Sequence, residues 1–240
     1  MREEIVNPVV GNFVKSLRDI GYIFEVAVAD ILDNSITAGA ENIKILCLPE
    51  PEVNFSILDD GWGMNEEELI NAMRLATHDP DRSRDPNDLG KFGLGLKTAS
   101  FSQCRKLTVL SKRNDIIAIK QWDLDYISEK NEWLLVTPKL SIYETHPLYL
   151  ELSNLEYGTL VMWESIDSFR KEDIALRIEE LHHHLSLVFH FFLEGKVSKR
   201  KRLNLTINGA KVEPFNPFNP THKATQEFQE EKIYFNDYEI

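Results

Sequence analysis

The segment "FEVAVADILDNSITAGA", residues 24–40, restricts the fold of this chain more than any other. Its apolar residues recur at i, i+3, i+4, i+7 and i+8 from Phe24, which predicts a helix with one stripe against a core. Four polar residues fall on a different face of that helix: Asp30, Asp33, Asn34 and Thr37. Asp30 and Asn34 lie one turn apart and therefore point to the same place. This face is either solvated or part of a binding site.

The composition is that of a packed globular protein. The 240 residues, 42% of them hydrophobic, suffice for one large domain or for one domain and part of a second. A formal net charge of −12 argues against broad electrostatic adhesion to nucleic acid or to anionic membranes. Cys47 and Cys104 have no metal-ligand spacing and are expected to be buried thiols in a reducing compartment. Without a visible secretory signal or membrane-length apolar run, we expect an intracellular, cytoplasmic protein with no membrane partner.

The order of helical and strand patterns predicts the fold class. A helical region over 9–38, with a break at Gly21, precedes two strands, "NIKILCL" and "VNFSILDD". Asn65 can cap the next helix in a capping box with Glu68. Further strands are predicted at "KLTVLSK", "IIAIKQWDL", "WLLVTPKL" and "GTLVMWES". Since strands and helices do not alternate regularly, a Rossmann fold is disfavoured, and we predict an α+β sandwich with helices on one face of a mixed, largely antiparallel sheet.

Three further segments set the expected organisation. Residues 77–89 are polar and contain prolines, which predicts a long loop, and residues 77–92 are expected to form a mobile lid. A helix is expected at roughly 171–193, and Asn208-Gly209 between apolar runs predicts a hairpin. The basic stretch "KVSKRKR", 196–202, is the expected boundary. We therefore expect one domain over 1–195 and, over 196–240, a basic connector with the incomplete start of a second domain.

Three polar or glycine-rich clusters follow predicted apolar elements. The first is Asp30 with Asn34. In the second, "DDGWGM", Asp59 ends a buried strand, and two glycines let the backbone turn tightly or approach a ligand closely. The third, "GKFGLGLKTAS", leads into a helix, and glycines before a helix N-terminus expose N–H groups that suit a phosphate. Its members are Gly90, Gly93, Gly95 and Lys97. Together the clusters describe a nucleotide site.

The order Asp-x-x-x-Asn, Asp-x-Gly-x-Gly, Gly-x-x-Gly-x-Gly-x-Lys and a late Gly-Thr resembles the GHKL ATPases. This superfamily includes gyrase B, the ninety-kilodalton heat-shock chaperone, sensor histidine kinases and MutL. The sequence motifs "DNS…AGA" and "GLGLKTAS" are most similar to those of the MORC-like and MutL-like branch. The resemblance covers roughly residues 10–195 and implies a Bergerat-type two-layer α/β sandwich that binds ATP and Mg²⁺.

The resemblance also implies roles for individual residues. Asn34 would coordinate Mg²⁺, Asp59 would accept from the adenine amino group, and Gly63 would leave room for the base. Thr159, in "YGTLVMW", would hold the adenine end through a water shared with Asp59. The remaining nucleotide-binding positions are Gly61 and Met64, together with Gly90, Gly93, Leu94, Gly95 and Lys97 of the phosphate-binding cluster.

Asp30 stands where many members of the superfamily have a glutamate as general base. The shorter side chain retracts the carboxylate by about 1 Å, a displacement that can cost about a hundredfold in a positioned reaction. An aspartate can still act as a general base, but its carboxylate extends less far from the helix. His182, His183 and His184 are not expected to bind one metal ion, because consecutive helical residues point about 100° apart.

We therefore expect a Mg²⁺-dependent ATPase that uses ATP to close a lid and to drive homodimerisation or domain movement when full length. DNA-related processes, and DNA as a partner, are suggested at the family level only. One alternative is an ATP-gated binding module with negligible hydrolysis, which the Asp30 substitution keeps open. A protein histidine kinase is a weaker alternative, because fewer than thirty residues precede Asp30 and leave no room for a phosphoacceptor hairpin.

Overall fold

The computed structural model describes residues 3–4, 9–19, 21–75, 95–198, 200–220, 222–226, 234–235 and 238–239. The α-helices of these residues are α1 (Val10–Arg18), α2 (Phe24–Thr37), α3 (Glu66–Met73), α4 (Gly95–Gln103), α5 (Leu124–Lys130), α6 (Pro147–Asn154), α7 (Ile174–Val188) and α8 (His190–Glu194). The strands are β1 (Asn42–Leu48), β2 (Asn54–Asp59), β3 (Cys104–Arg113), β4 (Ile116–Asp123), β5 (Gly158–Ile166), β6 (Asn204–Ile207), β7 (Ala210–Lys211), β8 (Tyr234–Phe235) and β9 (Tyr238–Glu239).

Within these residues, one seven-stranded sheet runs in the order β4-β3-β5-β2-β1-β6-β7. Neighbouring strands pair antiparallel, except that β1 and β6 pair in parallel. The predicted α+β class, with a mixed and largely antiparallel sheet, is confirmed. β8 and β9 form a separate two-stranded pair.

The main core lies between one face of the sheet and the helices. Alternate residues of the central strands face it, among them Phe55, Ile57, Val161 and Trp163, and α2, α4 and α7 cover them. The apolar stripe predicted for α2 is buried: Phe24, Ala27, Val28, Ile31 and Leu32 are each at most 5% exposed. The expected capping box of α3 is present, with Asn65 accepting from the Glu68 amide and the Glu68 carboxylate accepting from the Asn65 amide.

The opposite face of the sheet carries a second, smaller apolar layer. Its buried members include Leu58, Leu160 and Met162 from the strands and Leu148 and Leu152 from α6. The sequence analysis did not predict α6, which begins with Pro147 as its first residue and is capped by His146. The predicted strand "WLLVTPKL" is also absent as a strand, and only Val136 of it bridges to Gln121 of β4.

The predicted Asn208-Gly209 hairpin is confirmed, since β6 and β7 pair around it and both turn residues have positive φ, 49° and 81°. It extends the same sheet, and Leu205 and Ile207 belong to the main core. The parallel pairing with β1 makes the hairpin an edge of this sheet, and the expected division of the chain at residues 195 and 196 stays a prediction.

The basic stretch 196–202 makes its described contacts within the chain. Arg200 donates to the carbonyl of Ile36 near the end of α2, and Arg202 donates through Nε to the Leu193 carbonyl at 2.7 Å. Lys201 pairs with Glu41 at 2.6 Å and Lys196 with Glu194 at 2.9 Å. These contacts make the stretch a connector between α8 and the sheet.

Residues 76–94 lie outside the described part of the chain. They include the predicted lid, residues 77–92, and the predicted phosphate-binding positions Gly90, Gly93 and Leu94. In the described ranges, no helix is both long and apolar enough to cross a membrane.

Candidate nucleotide-binding site

The polar face of α2 has the arrangement that its spacing predicts. Asp30 is half-buried and Asn34 is exposed, one turn further along the same helix. The Asn34 side chain donates through Nδ2 to the Asp30 backbone carbonyl at 2.8 Å. This bond uses the Nδ2 group and leaves Oδ1, the atom that a hard cation prefers, as the remaining ligand atom of the amide.

The carboxylates on this face are poorly solvated. Burial raises the pKa of Asp30, and a hydrogen bond from the Tyr22 hydroxyl opposes that rise. Burial, followed by the charge of Asp30, raises the pKa of Asp33 to about 6. Because an acid with a raised pKa is a stronger base once ionised, both side chains are chemically suited to accept a proton from water.

Asp59 is the deepest carboxylate of the site. It ends β2, is 4% exposed, and accepts from the Ser35 hydroxyl at 2.8 Å and from the Gly61 amide at 2.9 Å. Burial raises the pKa of Asp59 to about 6, although these bonds and one from the Thr159 amide favour the ionised form. The donors are a hydroxyl and backbone amides, all uncharged, so no positive group of theirs offsets the burial of the negative charge.

Asp59, Thr159 and Ser111 form a row across three adjacent strands. The register pairs Asp59 of β2 with Thr159 of β5, and Thr159 with Ser111 of β3. All three residues are on the core face, two positions along from Ile57, Val161 and Val109. The Ser111 and Thr159 hydroxyl oxygens are 2.8 Å apart, and Ser111 accepts from the Met64 amide at 2.8 Å. The structure thus brings the predicted residues Asp59, Met64 and Thr159 together.

Two residues of this arrangement, Ser35 and Ser111, were not identified from the sequence. The signal for Ser111 was present in "KLTVLSK", where Leu107, Val109 and Ser111 alternate on one face and the last of them is polar. A polar side chain in a core-facing row indicates a hydrogen-bond partner inside the protein. The signal for Ser35 was weaker, because a serine beside Asn34 on a helix has no distinctive spacing.

The two glycines of "DDGWGM" are required by close backbone contacts. Gly63 has φ of +60°, and a Cβ there would lie 2.0 Å from the Lys112 carbonyl oxygen. A Cβ on Gly61 would lie 2.8 Å from the Ala38 carbonyl oxygen. The turn from Asp59 to Met64 therefore packs directly on the ends of α2 and β3. Space for a base at Gly63 stays a prediction.

Replacing Gly63 with alanine is expected to destabilise the protein by roughly 2–5 kcal/mol, since an unfavourable left-handed backbone adds to an overpacking contact. Gly209 provides the matched control, because its φ is +81° and nothing lies within 4 Å of its Cβ position. Gly209→Ala should lower the free energy of unfolding only by the backbone contribution, about 1–2 kcal/mol. Urea denaturation of both variants measures the difference. Equal losses would mean that the Lys112 carbonyl moves aside without strain.

Lys97 lies on the first turns of α4, which begins at Gly95. It is 3% exposed and donates through Nζ to the Ala72 carbonyl in α3 at 2.9 Å. Burial lowers the pKa of Lys97 to about 8. In this position Lys97 joins α4 to the end of α3, and its predicted contact with phosphate stays a prediction.

The mixed, largely antiparallel sheet with its covering helices is consistent with the Bergerat fold of the GHKL ATPases. Residues 22–159, more than half of the chain, match the family of histidine kinase-, DNA gyrase B- and HSP90-like ATPases, and the chain belongs to that family.

Three curated relatives match shorter stretches. ATPase morc-1 of Caenorhabditis elegans is 30% identical over 92 residues, which are 38% of this chain and 10% of that protein. The DNA mismatch repair protein MutL of Pelotomaculum thermopropionicum is 36% identical over 93 residues, 38% of this chain and 15% of the relative. MutL of Dictyoglomus turgidum is 34% identical over 87 residues, 35% and 15% of the two chains. The matched stretches thus span only a small part of each relative.

Proposed function

We propose that this chain binds ATP together with Mg²⁺ and hydrolyses the ATP slowly. The observation that carries the proposal is Asp59, a carboxylate 4% exposed at the end of a central strand and supported by uncharged donors only. A buried carboxylate of this kind destabilises the fold. An adenine amino group that donates to it would explain why the position is acidic.

The same carboxylate selects adenine over guanine. Adenine presents an amino group at position 6, which donates to Asp59, whereas guanine presents a carbonyl oxygen there, which an ionised carboxylate repels. Family membership supports ATP as the nucleotide. Titration calorimetry with ATP and GTP tests the proposal, and equal affinities, or no binding of either nucleotide, would overturn it.

Asn34 is the proposed Mg²⁺ ligand. The residues present fit the ion, because the Asn34 Nδ2 is used by the Asp30 carbonyl and an amide oxygen remains for a cation that prefers oxygen ligands. The ion would balance phosphate charge beside an acidic helix face. Asp30, on the same face, is the proposed general base, and it would orient and deprotonate the attacking water.

Asn34→Ala is expected to weaken ATP binding by at least about tenfold in Mg²⁺ and to have little effect in EDTA, because it removes a ligand of the ion only. Asn12→Ala, at an exposed position of α1, is the matched control and should leave both affinities unchanged. Calorimetry in the two buffers gives the comparison. An Asn34→Ala variant with the wild-type response to Mg²⁺ would remove Asn34 from the metal site.

The binding of ATP is proposed to drive a conformational change. The polar segment 77–92 would close over the nucleotide, and closure would drive dimerisation or domain movement in the full-length protein. A role in DNA-related processes is suggested only by the similarity to the DNA mismatch repair proteins MutL. The contacts of residues 196–202 within the chain do not favour that stretch as the DNA-binding surface.

An ATP-gated binding module is the second candidate, and the shorter reach of Asp30 favours it. A single-turnover assay with enzyme in excess separates the two, because only an ATPase converts the bound ATP within one binding lifetime. The same assay run with γ-labelled ATP tests for a histidine kinase, which would retain the label on the protein.

A further inference from the structure

A cavity of about 420 Å³ lies among α1, the end of α3, β4 and the segment that follows α5. Small-molecule sites in proteins commonly have volumes of about 300–1,000 Å³. None of the described residues that line this cavity belongs to the candidate nucleotide site. Six of them are apolar: Phe13, Ile70, Leu75, Trp122, Trp133 and Leu135. The volume and the lining are those of a second ligand site.

Three of these side chains form an aromatic wall. The Trp133 ring packs edge-to-face with Phe13, at a centroid distance of 5.9 Å and an interplanar angle of 85°, and with Trp122, at 5.9 Å and 89°. Trp122 is 5% exposed and Phe13 is 42% exposed, so the wall runs from the core to the surface. A planar ring placed against this wall gains further edge-to-face or offset contacts. An aromatic ligand is therefore favoured over an aliphatic one.

The end of α3 is already paired where it meets the cavity. The carbonyls of residues 70 and 71 accept from the Arg74 amide, the carbonyl of residue 72 accepts from Lys97 Nζ, and the carbonyl of residue 73 accepts from Trp122 Nε1. The last of these bonds, at 2.9 Å, also uses the indole N–H of Trp122. Because these backbone and indole groups have partners, a ligand gains little by hydrogen bonding to them. The polar part of a ligand is thus left to Arg74.

Arg74 is the charged member of the described residues that line the cavity. Its side chain is exposed, and in the part of the chain that the structure describes its guanidinium has no hydrogen-bond or ion-pair partner. A guanidinium pairs with a carboxylate through two parallel N–H···O bonds. Because the whole chain carries a net charge of −12, a small anion needs such a local cation in order to bind.

We propose that this cavity is a second ligand site, which takes a small aromatic carboxylate with its ring against the aromatic wall and its carboxylate on Arg74. The inference goes beyond the proposed ATP binding and does not rest on it. The two sites share only α3, whose end is bonded both to Lys97 and to Trp122.

The test is calorimetry without nucleotide, with 2-naphthylacetate and its uncharged analogue 2-naphthaleneethanol as probes. The wild-type protein should bind one molecule of the carboxylate, about five- to tenfold more tightly than the alcohol, the value of about one hydrogen bond. Arg74→Gln should reduce this preference below about twofold, because it removes the charge and keeps most of the side chain. Arg170→Gln is the matched control, since Arg170 is also exposed and lies outside the cavity. It should keep the wild-type preference.

A filled cavity separates this site from adhesion elsewhere on the surface. Leu135→Trp should occupy the space and abolish binding of both probes, whereas Leu176→Trp, at a position of α7 that is 53% exposed, should not. In NMR spectra, 2-naphthylacetate should shift the indole N–H resonance of Trp133 and leave that of Trp62, which is 60% exposed and outside the cavity, in place. This measurement carries the test if Leu135→Trp does not fold. The inference would be overturned by a wild-type protein that does not bind the carboxylate or binds both probes equally, by an undiminished preference in Arg74→Gln, by undiminished binding in Leu135→Trp, or by an unshifted Trp133 resonance.

Discussion

Replacing Asp30 with asparagine is expected to lower the rate of ATP hydrolysis by about 10²–10⁴-fold, the usual loss when a general base is removed, and to leave ATP binding intact. Asparagine has nearly the same shape, and the bond between Asn34 and residue 30 uses the backbone carbonyl, which the substitution does not alter. Single-turnover hydrolysis measures the rate, and calorimetry measures the retained binding. Hydrolysis at the wild-type rate would show that Asp30 is not the base.

Asp33→Asn is the control, because burial raises the pKa of both carboxylates and they lie on the same helix. It should keep most of the activity. If instead Asp33→Asn is inactive and Asp30→Asn is active, Asp33 is the base. Asp30→Glu restores the side chain commoner in the superfamily and should remain active with an altered rate. A lower rate of hydrolysis would indicate that the pocket fits aspartate better than glutamate, and a higher rate would indicate the reverse.

The sheet could be predicted largely because its strands differ in how many faces they bury. In "NIKILCL", Ile43, Ile45 and Cys47 are buried, and alternate residues are exposed or partly exposed, which is the period-two signal. In "GTLVMWES" the four residues 160–163 are apolar without a break, and such a run indicates burial on both faces. That run was evidence for a layer on the second face, where Leu160 and Met162 meet Leu148 of α6. The layer was missed because α6 is only eight residues long, too short for a periodic signal.

The strand expected at "WLLVTPKL" failed for a local reason. Pro138 has no amide proton to donate to a ladder, and only Val136 forms a bridge, with Gln121 at the edge of the sheet. Apolar content alone does not supply a hydrogen-bonding partner. The parallel pairing of β6 with β1 was equally inaccessible, because Asn42 and Asn204 are brought together by the whole fold and by no local pattern.

The residues of the candidate site also differ in how far local sequence patterns could place them. Asp30 and Asn34 could be placed together because four-residue spacing on a helix is local information. Asp59 and Thr159 were associated only through the family resemblance, and the β2–β5 register makes them neighbours. The contacts of Ser111 with Met64 and Thr159 join residues 47 and 48 positions apart in the chain. Such contacts depend on strand register, which pattern reasoning does not supply.

Replacing Asp59 with asparagine is expected to reduce ATP affinity by about 10- to 100-fold, the value of a hydrogen bond to a charged group. The amide keeps one oxygen for the Gly61 amide, so the turn should persist. It also places an N–H₂ group where the ionised carboxylate accepted the adenine amino group, which removes the acceptor and adds a donor. Calorimetry with Mg²⁺ and ATP measures the loss, and wild-type affinity in the variant would refute the assignment of Asp59 to the base.

The same substitution should stabilise the protein, by about 1–3 kcal/mol near pH 8. Burial raises the pKa of Asp59 from 3.8 to about 6, so the folded state binds more protons than the unfolded state between those values. Wild-type stability therefore falls as the pH rises through this window, whereas asparagine does not titrate. The gain in the free energy of unfolding from Asp59→Asn should be absent below about pH 4 and complete above about pH 6.

Asp125→Asn is the control of opposite sign. Arg105 lowers the pKa of Asp125, so removal of the Asp125 carboxylate should stabilise the protein at no pH. Urea denaturation across the pH range measures both variants. A variant that loses ATP and yet unfolds at higher urea cannot have lost binding through misfolding, whereas equal stability at every pH would mean that Asp59 is solvated in the folded protein.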